Sequence, residues 1–259
     1  MSRDTEINPK PNQKSKDVGA KHPGVFVTIE GVEGSGKSTL RARLLAEAEK
    51  LWSPVMVTRE PGATEIGRTI RSMLLDPNLK RPCPKTELFL FCADRAEHVE
   101  EVIRPSLMRG ELVICDRYIH STLAYQGFGR GMELDGLLSL ISLSTDNLQP
   151  DLVLLLDIDP ENGLNRVNKR VESAGLASHT VTEVLDRNAI GHQGDRAITR
   201  FEQEDLSFHK SVREGFLALS KLEPKRFAVI NAARTADEVF KEAFAALEKF
   251  IVKHKQAAL

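Results

Sequence analysis

One short stretch sets the terms for the whole chain: Gly31-Val32-Glu33-Gly34-Ser35-Gly36-Lys37-Ser38, followed by Thr39. Val25-Phe26-Val27-Thr28-Ile29-Glu30 before it is an apolar, β-rich run. Leu40-Arg41-Ala42-Arg43-Leu44-Leu45-Ala46-Glu47-Ala48 after it carries leucines on one helical face. Strand, glycine loop and helix are the context in which this pattern cradles phosphate. Glycines reach backbone angles that other residues avoid. The amides of Gly31, Gly34 and Gly36 can therefore turn inward, and the following helix adds its N-terminal partial positive charge. Lys37 then reaches the β- and γ-phosphates of a nucleotide, and the Ser38 hydroxyl ligates Mg²⁺. Without the Lys-Ser pair and these flanks, the same glycines would be a turn that binds nothing.

The chain has 259 residues, enough for one large α/β domain with decorations, and its 41% hydrophobic content can fill a core. A net charge near −1 excludes a nonspecific nucleic-acid coat, which needs a strong basic excess. No apolar run approaches the roughly 20 residues that span a bilayer. Nor does the N-terminus carry a signal-peptide core. Cys83, Cys92 and Cys115 lack metal spacing and read as reduced thiols of a cytoplasmic protein.

Residues 1–22 are polar and mixed in charge, and read as a disordered arm ahead of a domain at 23–259. Pro54–Thr58 reads as a second strand, entering a turn at Arg59-Glu60-Pro61-Gly62. Thr64–Leu75 reads as a helix with Thr64 as N-cap. Thr86–Met108 has a long helical period, broken at Pro105, in which Phe89 falls to the core. Glu111–Asp116 is apolar enough for a strand buried on both faces. Ser121–Gly131 reads as a glycine-rich turn region and Glu133–Leu143 as a helix. Asp151–Asp157 is the fourth strand, and a helix follows to about Val171. About 172–198 has no clean period. Arg200–Leu222 is helical, Phe227–Asn231 is the fifth strand, and Ala236–Val252 is the last helix. This alternation predicts a three-layer α/β fold, a five-stranded parallel sheet with helices on both faces. Ligands then sit beyond the carboxyl ends of the strands, where Gly31, Arg59, Asp116 and Asp157 fall.

A phosphate loop alone does not separate kinase, ATPase and switch. The nearest match to a guanine-selecting Asn-Lys-x-Asp element is Asn168-Lys169-Arg170-Val171, which lacks the aspartate. A metal-side carboxylate is expected at the end of an apolar strand. Asp116 and Asp157 both qualify, and Asp116 is preferred because Arg117 follows it. Arg59, Arg95 and Arg117 lie at or beside strand ends, where guanidinium forks grip phosphate. Singly, each reads as a surface ion-pair residue; together they suggest a second phosphate-bearing substrate. Phe91 shares a helix face with Arg95, which suits a nucleoside monophosphate, ring on base and arginine on phosphate.

The stretches Phe26–Thr39, Thr58-Arg59-Glu60-Pro61-Gly62, Leu90-Phe91-Cys92-Ala93-Asp94-Arg95-Ala96-Glu97-His98 and Asp116-Arg117-Tyr118, with Ser121-Thr122 and Ala124-Tyr125-Gln126-Gly127, closely resemble bacterial thymidylate kinases in that family's order. The likeness covers about 24–171 and 195–250. It implies the nucleoside monophosphate kinase type of P-loop fold, ATP- and Mg²⁺-dependent phosphorylation of dTMP to dTDP, and a homodimer. It implies Phe91 on thymine, Arg95 at base and phosphate, and Arg59 and Arg117 on the dTMP phosphate. Ser121, Thr122, Tyr125 and Gln126 then border base and sugar, and Glu33 faces the sugar hydroxyl. Family members carry a catalytic arginine in the phosphate loop or in a lid; this loop has no basic residue between Gly31 and Gly36, so the resemblance implies a lid arginine. Arg166 and Arg170 match the start of the lid and Arg200 its end, in a lid spanning about 166–200. An insertion at about 172–196 departs from the family and leaves Arg170, Arg196 and Arg200 all open. Its His179, His192 and Asp195 are irregularly spaced and read as solvent-facing. The rivals are another monophosphate or nucleoside kinase, and a nucleotide-regulated binding protein that has lost turnover.

Overall fold

The computed structural model describes residues 23–77, 79–173 and 199–257. The expected arm at 1–22 lies outside these residues, as does most of the lid insertion, with His179, His192, Asp195 and Arg196. Five strands form one sheet: β1 (Val25–Glu30), β2 (Val55–Arg59), β3 (Leu112–Asp116), β4 (Leu152–Asp157) and β5 (Phe227–Asn231). Every pair is parallel and the order across the sheet is β2-β3-β1-β4-β5. The expected fold class is the observed one.

Helices cover both faces. They are α1 (Lys37–Ala48), α2 (Glu65–Leu75), α3 (Pro84–His98), α4 (Arg104–Met108), α5 (Ile119–Thr122), α6 (Leu134–Thr145), α7 (Pro160–Ser173), α8 (Leu206–Leu222) and α9 (Ala236–Ala257). The period of two sends Val25, Val27 and Ile29 into one core with Leu44 of α1, Phe216 of α8 and Leu247 of α9. Phe26 enters the other core with Leu88 of α3, Leu137 of α6 and Tyr118. β1 is buried along its whole length, as the central strand of a covered parallel sheet must be. Register does the rest. Ile29 of β1 and Arg59 of β2 both pair with Asp116 of β3, so three strand ends finish level on one edge.

Local signals hold at several ends. Thr64 caps α2, its hydroxyl accepting from Gly67 N–H at 2.9 Å. Elsewhere the structure corrects the sequence reading. Pro105 does not break its helix: α3 runs through a π-helical stretch (Val99–Ile103) into α4, where Pro105 occupies the first turn. There Arg104 N–H reaches back to Val99 O, and the wider turn lets the helix continue past the proline's missing N–H and bulky ring. Phe89 is 56% exposed rather than core. The buried stripe of α3 is Leu88, Cys92 and Arg95, and Phe89 sits one residue off it. The helix expected from Arg200 begins instead as a 3₁₀ turn (Arg200–Gln203), with α8 starting afresh at Leu206.

The largest correction is at 121–129, which is helical: α5 passes into a second π-helical stretch (Leu123–Gly129). Gly127 and Gly129 serve packing, while Gly131, at φ 68°, makes the turn that follows. A Cβ on Gly129 would lie 2.6 Å from Phe208 Cε2 and 2.9 Å from Val212 Cγ2, so the absent side chain lets α8 approach. Gly129→Val should therefore destabilise the fold by roughly 1–3 kcal/mol through overpacking. Urea unfolding would show this as a lowered midpoint at unchanged slope.

Candidate active site

The phosphate loop leaves β1 with Gly31, Gly34 and Gly36 at φ 142°, 69° and 95°. Gly34 is required twice over. Besides its left-handed backbone, a Cβ there would collide with the carbonyl of Gly163 on α7, and a Cβ on Gly163 would meet the Glu33 carbonyl. Two glycines thus seat α7 directly on the loop. Lys37 opens α1 and turns back: its Nζ donates to Gly31 O at 2.9 Å, Val32 O at 2.8 Å and Ser35 Oγ at 3.2 Å. Burial, and then the neighbouring Arg117 cation, pull its ammonium down to about 8. Anionic phosphate in its reach would reverse that pull.

At the level end of β3, Arg117 adopts φ 69°, a left-handed backbone unusual for a side-chain-bearing residue. This bend folds the guanidinium over the loop, where it donates to Gly31 O at 3.2 Å and pairs with Glu33 at 3.0 Å. Asp116 faces the same space, with Arg41 at 3.5 Å. The other strand-end candidate, Asp157, is committed elsewhere: Arg213 Nε and Nη2 donate to its two oxygens at 2.7 and 2.9 Å.

Arg95 comes from α3 and is almost wholly buried. Its Nε donates to Glu60 Oε2 at 2.9 Å, Nη1 to Thr122 Oγ1 at 2.9 Å and Nη2 to Tyr118 O at 3.1 Å. Glu60 in turn lies 3.0 Å from His98 Nδ1, whose Nε2 is 2.7 Å from Thr58 Oγ1. Asp94 accepts from Gly62 N–H at 2.8 Å and holds the Pro61-Gly62 turn. Burial, then the Glu60 charge, raise the Asp94 carboxyl to about 7. Further along, buried Glu87 of α3 accepts from Gln126 Nε2 at 2.9 Å and pairs with Arg130 at 3.2 Å. It also pairs with Arg200 at 3.0 Å.

These elements surround one cavity of about 590 Å³. Glu33 to Thr39, Asp116 and Arg117 line its middle. Arg59, Phe91, Arg95, Ser121, Thr122, Tyr125 and Gln126 line the β2–β3 side, and Arg43, Arg166, Arg234 and Val239 the β5 side. Of the expected residues, Arg170 lines it and Arg200 does not. Gly31 and Val32 stand behind the loop, where their carbonyls hold Lys37. Sequence reasoning missed Phe201, whose ring lies 6.0 Å from Phe91 and 5.8 Å from Tyr125. It also missed Glu87 and His209. Glu87 sits on the same buried helical face as Arg95, a signal that could have been read; His209, on α8, gave none.

A volume of several hundred Å³ suits an enclosed small-molecule site. A phosphate loop facing arginines across such a cavity, on a β2-β3-β1-β4-β5 sheet, defines a P-loop phosphotransferase of the nucleoside monophosphate kinase type. The family model "Thymidylate kinase" matches residues 29–186. A thymidylate kinase of Solidesulfovibrio magneticus is 44% identical over 88% of this chain and all of that protein. One of Desulfovibrio desulfuricans is 42% identical over 88% of the chain and 96% of the relative. The crystal structure of thymidylate kinase from Ehrlichia chaffeensis superposes with TM-score 0.65 at 28% identity, covering 86% of this chain and 98% of that one. The chain belongs to the thymidylate kinase family, and its activity is that of a phosphotransferase. Among the described residues, no helix is long and apolar enough to cross a membrane.

The raised Asp94 carboxyl has a consequence for stability. A carboxyl raised on folding favours the fold below its unfolded value, near 3.9, and that contribution is lost as pH climbs through about 7. Asp94→Asn keeps an acceptor for Gly62 N–H and cannot ionise. Relative to the parent, the variant should gain stability between pH 4 and about 7 and hold the gain above it. Urea unfolding at pH 5 and pH 8 should differ in this relative stability by about 1–3 kcal/mol.

Proposed function

We propose that this protein transfers the γ-phosphoryl group of ATP to dTMP, giving dTDP for dTTP synthesis in the cytoplasm. The observation that carries this reading is the single cavity in which the phosphate loop faces a second cationic pocket. In the sheet order, β2 and β3 lie on one side of β1 and β5 on the other. The donor nucleotide then extends from the loop toward Arg43, Arg234 and Val239, and the acceptor toward Phe91 and Gln126.

On the acceptor side, Arg59, Arg95 and Arg117 hold the monophosphate. Phe91 stacks on the base, while Ser121, Thr122, Tyr125 and Gln126 border base and sugar. Glu33 takes the sugar hydroxyl. On the donor side, the loop from Gly31 to Thr39 wraps the triphosphate and Lys37 carries charge to its β- and γ-groups. Ser38 and Asp116 are oxygen donors facing one cavity, which fits Mg²⁺, an ion that takes one or two protein oxygens and completes its shell with phosphate and water. Bound there, Mg²⁺ would supply charge neutralisation. The acceptor is already an anionic phosphate oxygen, so no general base is required; alignment and cationic stabilisation suffice.

For the lid cation we favour Arg170, half-exposed on the cavity wall with only a 3.5 Å contact to Glu202. Arg166 instead donates to Ala232 O at 2.8 Å and braces the β5–α9 turn. Arg200 is held by Glu87. A homodimer packed through helices fits the exposed Phe89 and Met108, with Leu138 and Leu143 of α6.

An ADP-release assay with ATP, Mg²⁺ and each nucleoside monophosphate tests the function: turnover should be confined to dTMP, with weaker dUMP. Turnover with another monophosphate alone would overturn the acceptor assignment. In Arg95→Lys, which keeps the charge but loses the fork, KM for dTMP should rise about tenfold or more while KM for ATP barely moves. Equal effects would remove Arg95 from the acceptor side. Arg170→Ala should lower kcat by at least about 10²-fold, whereas Arg200→Ala should lower it by less than about tenfold and mainly cost stability. The reverse ranking would return the catalytic role to Arg200.

A further inference from the structure

Glu33 is an acid inside a loop built to bind anions, so something must hold its carboxylate in a useful direction. Three elements do so. Tyr125, from the π-helical stretch after α5, donates its hydroxyl to Oε1. Arg117, at the end of β3, donates to the same oxygen at 3.0 Å. His209, from α8, brings Nδ1 within 3.2 Å of Oε2. That approach lies off the hydrogen-bonding axis, and neither Glu33 Oε2 nor either His209 ring nitrogen has another partner among the described residues. Both side chains are nearly inaccessible, His209 at 1% and Glu33 at 8%. Glu33 borders the cavity and His209 does not, so the imidazole stands behind the carboxylate. Burial raises the Glu33 carboxyl, but contact with His209 and the charges of Arg117 and Lys37 outweigh it, and the group stays ionised.

A polar ring in such a place is costly unless it does something. An unpartnered buried nitrogen forfeits its hydration, and a phenylalanine would pack beside Phe208, whose ring lies 5.5 Å away, without that loss. The return on His209 is at Oε2. An ionised carboxylate has about four acceptor positions. Tyr125 and Arg117 take two of them on Oε1, and Nδ1 of His209, 3.2 Å from Oε2, blocks rotation of the carboxylate away from those partners. Oε2 is sealed beside His209, whereas both partners of Oε1 line the cavity, so Oε1 is the oxygen turned toward it.

We propose that His209 is a positioning residue: from behind, it locks the rotation of the Glu33 carboxylate so that Oε1, the oxygen on the cavity side, meets the substrate's sugar hydroxyl. The inference rests on the reading above that Glu33 takes that hydroxyl. dTMP carries a single free sugar hydroxyl, on C3′, so removing it from the substrate isolates the contact.

The test compares kcat/KM for dTMP and for 3′-deoxythymidine 5′-monophosphate in the parent, His209→Phe, His209→Asn and Glu33→Gln. Taking the ratio within each protein cancels any loss of folded fraction. His209→Phe keeps the ring packing and loses the donor. It should reduce the preference for the hydroxylated substrate about tenfold, the factor carried by about 1.4 kcal/mol. The loss should fall on dTMP alone. His209→Asn restores an N–H near Nδ1 and should recover most of the preference. An unchanged ratio in His209→Phe, or an asparagine no better than phenylalanine, would overturn the proposal. The Glu33→Gln variant keeps the two failures apart. If it loses the preference while His209→Phe does not, only the positioning role is wrong. If it affects both substrates alike, the Glu33 reading falls and takes the inference with it.

Discussion

Level strand ends are the constraint on which the site depends. A parallel sheet sends every strand the same way, so each chain crossing delivers its next residue to the same edge. Here the pairing of Asp116 with both Ile29 and Arg59 makes that edge even to within one residue. The phosphate loop leaves β1 there, Arg117 bends back over it from β3, and the Arg59–Gly62 segment arrives from β2. No long loop has to reach across the molecule. A slip of register by one residue would turn these side chains to the wrong face.

The β2–β3 side of the cavity is held by buried charge. Arg95 shares Glu60 with His98, and Glu87 is shared by Gln126, Arg130 and Arg200. Burying such groups is costly and contributes little net stability. What they provide is direction: a guanidinium held by Glu60, Thr122 and Tyr118 has little rotational freedom left. The same economy explains Gln126, whose amide is oriented by Glu87 from outside the cavity. Breaking one member of such a network leaves an unpaired charge in a dry place, a far larger penalty than the pair's own contribution.

The α7 side of the cavity is built differently. Gly34 and Gly163 let α7 rest on the loop without side chains between them. Arg166 ties the same helix to the β5–α9 turn. The first turns of α7 are therefore rigidly referenced to the phosphate loop, while Arg170, a turn further on, stays half-exposed on the cavity wall.

Much of this was legible in the sequence. The strand–loop–helix context of Gly31–Ser38, the apolar runs ending at Asp116 and Asp157, and the helix cap at Thr64 are local signals, governed by backbone freedom, periodicity and capping. They determined five parallel strands and the edge where a site must lie. Tertiary packing decided what local pattern could not. Gly127 and Gly129 look like turn residues, yet they sit in a helical stretch because bulky neighbours occupy the space a side chain would need. Asp116 and Asp157 both close apolar strands, and folding separates them: Arg213 takes both oxygens of Asp157, while Asp116 lines the cavity. Arg170 and Arg200 are likewise hard to rank from sequence; folding puts Arg170 on the cavity wall near Glu202 and buries Arg200 against Glu87. His209 left no trace at all, because its partner Glu33 is far away in the chain and joins it only when α8 packs behind the loop. Short-range physics determined the scaffold and the phosphate grip; the choice among equivalent charges belongs to long-range contacts, because a charge's role depends on what folding brings beside it.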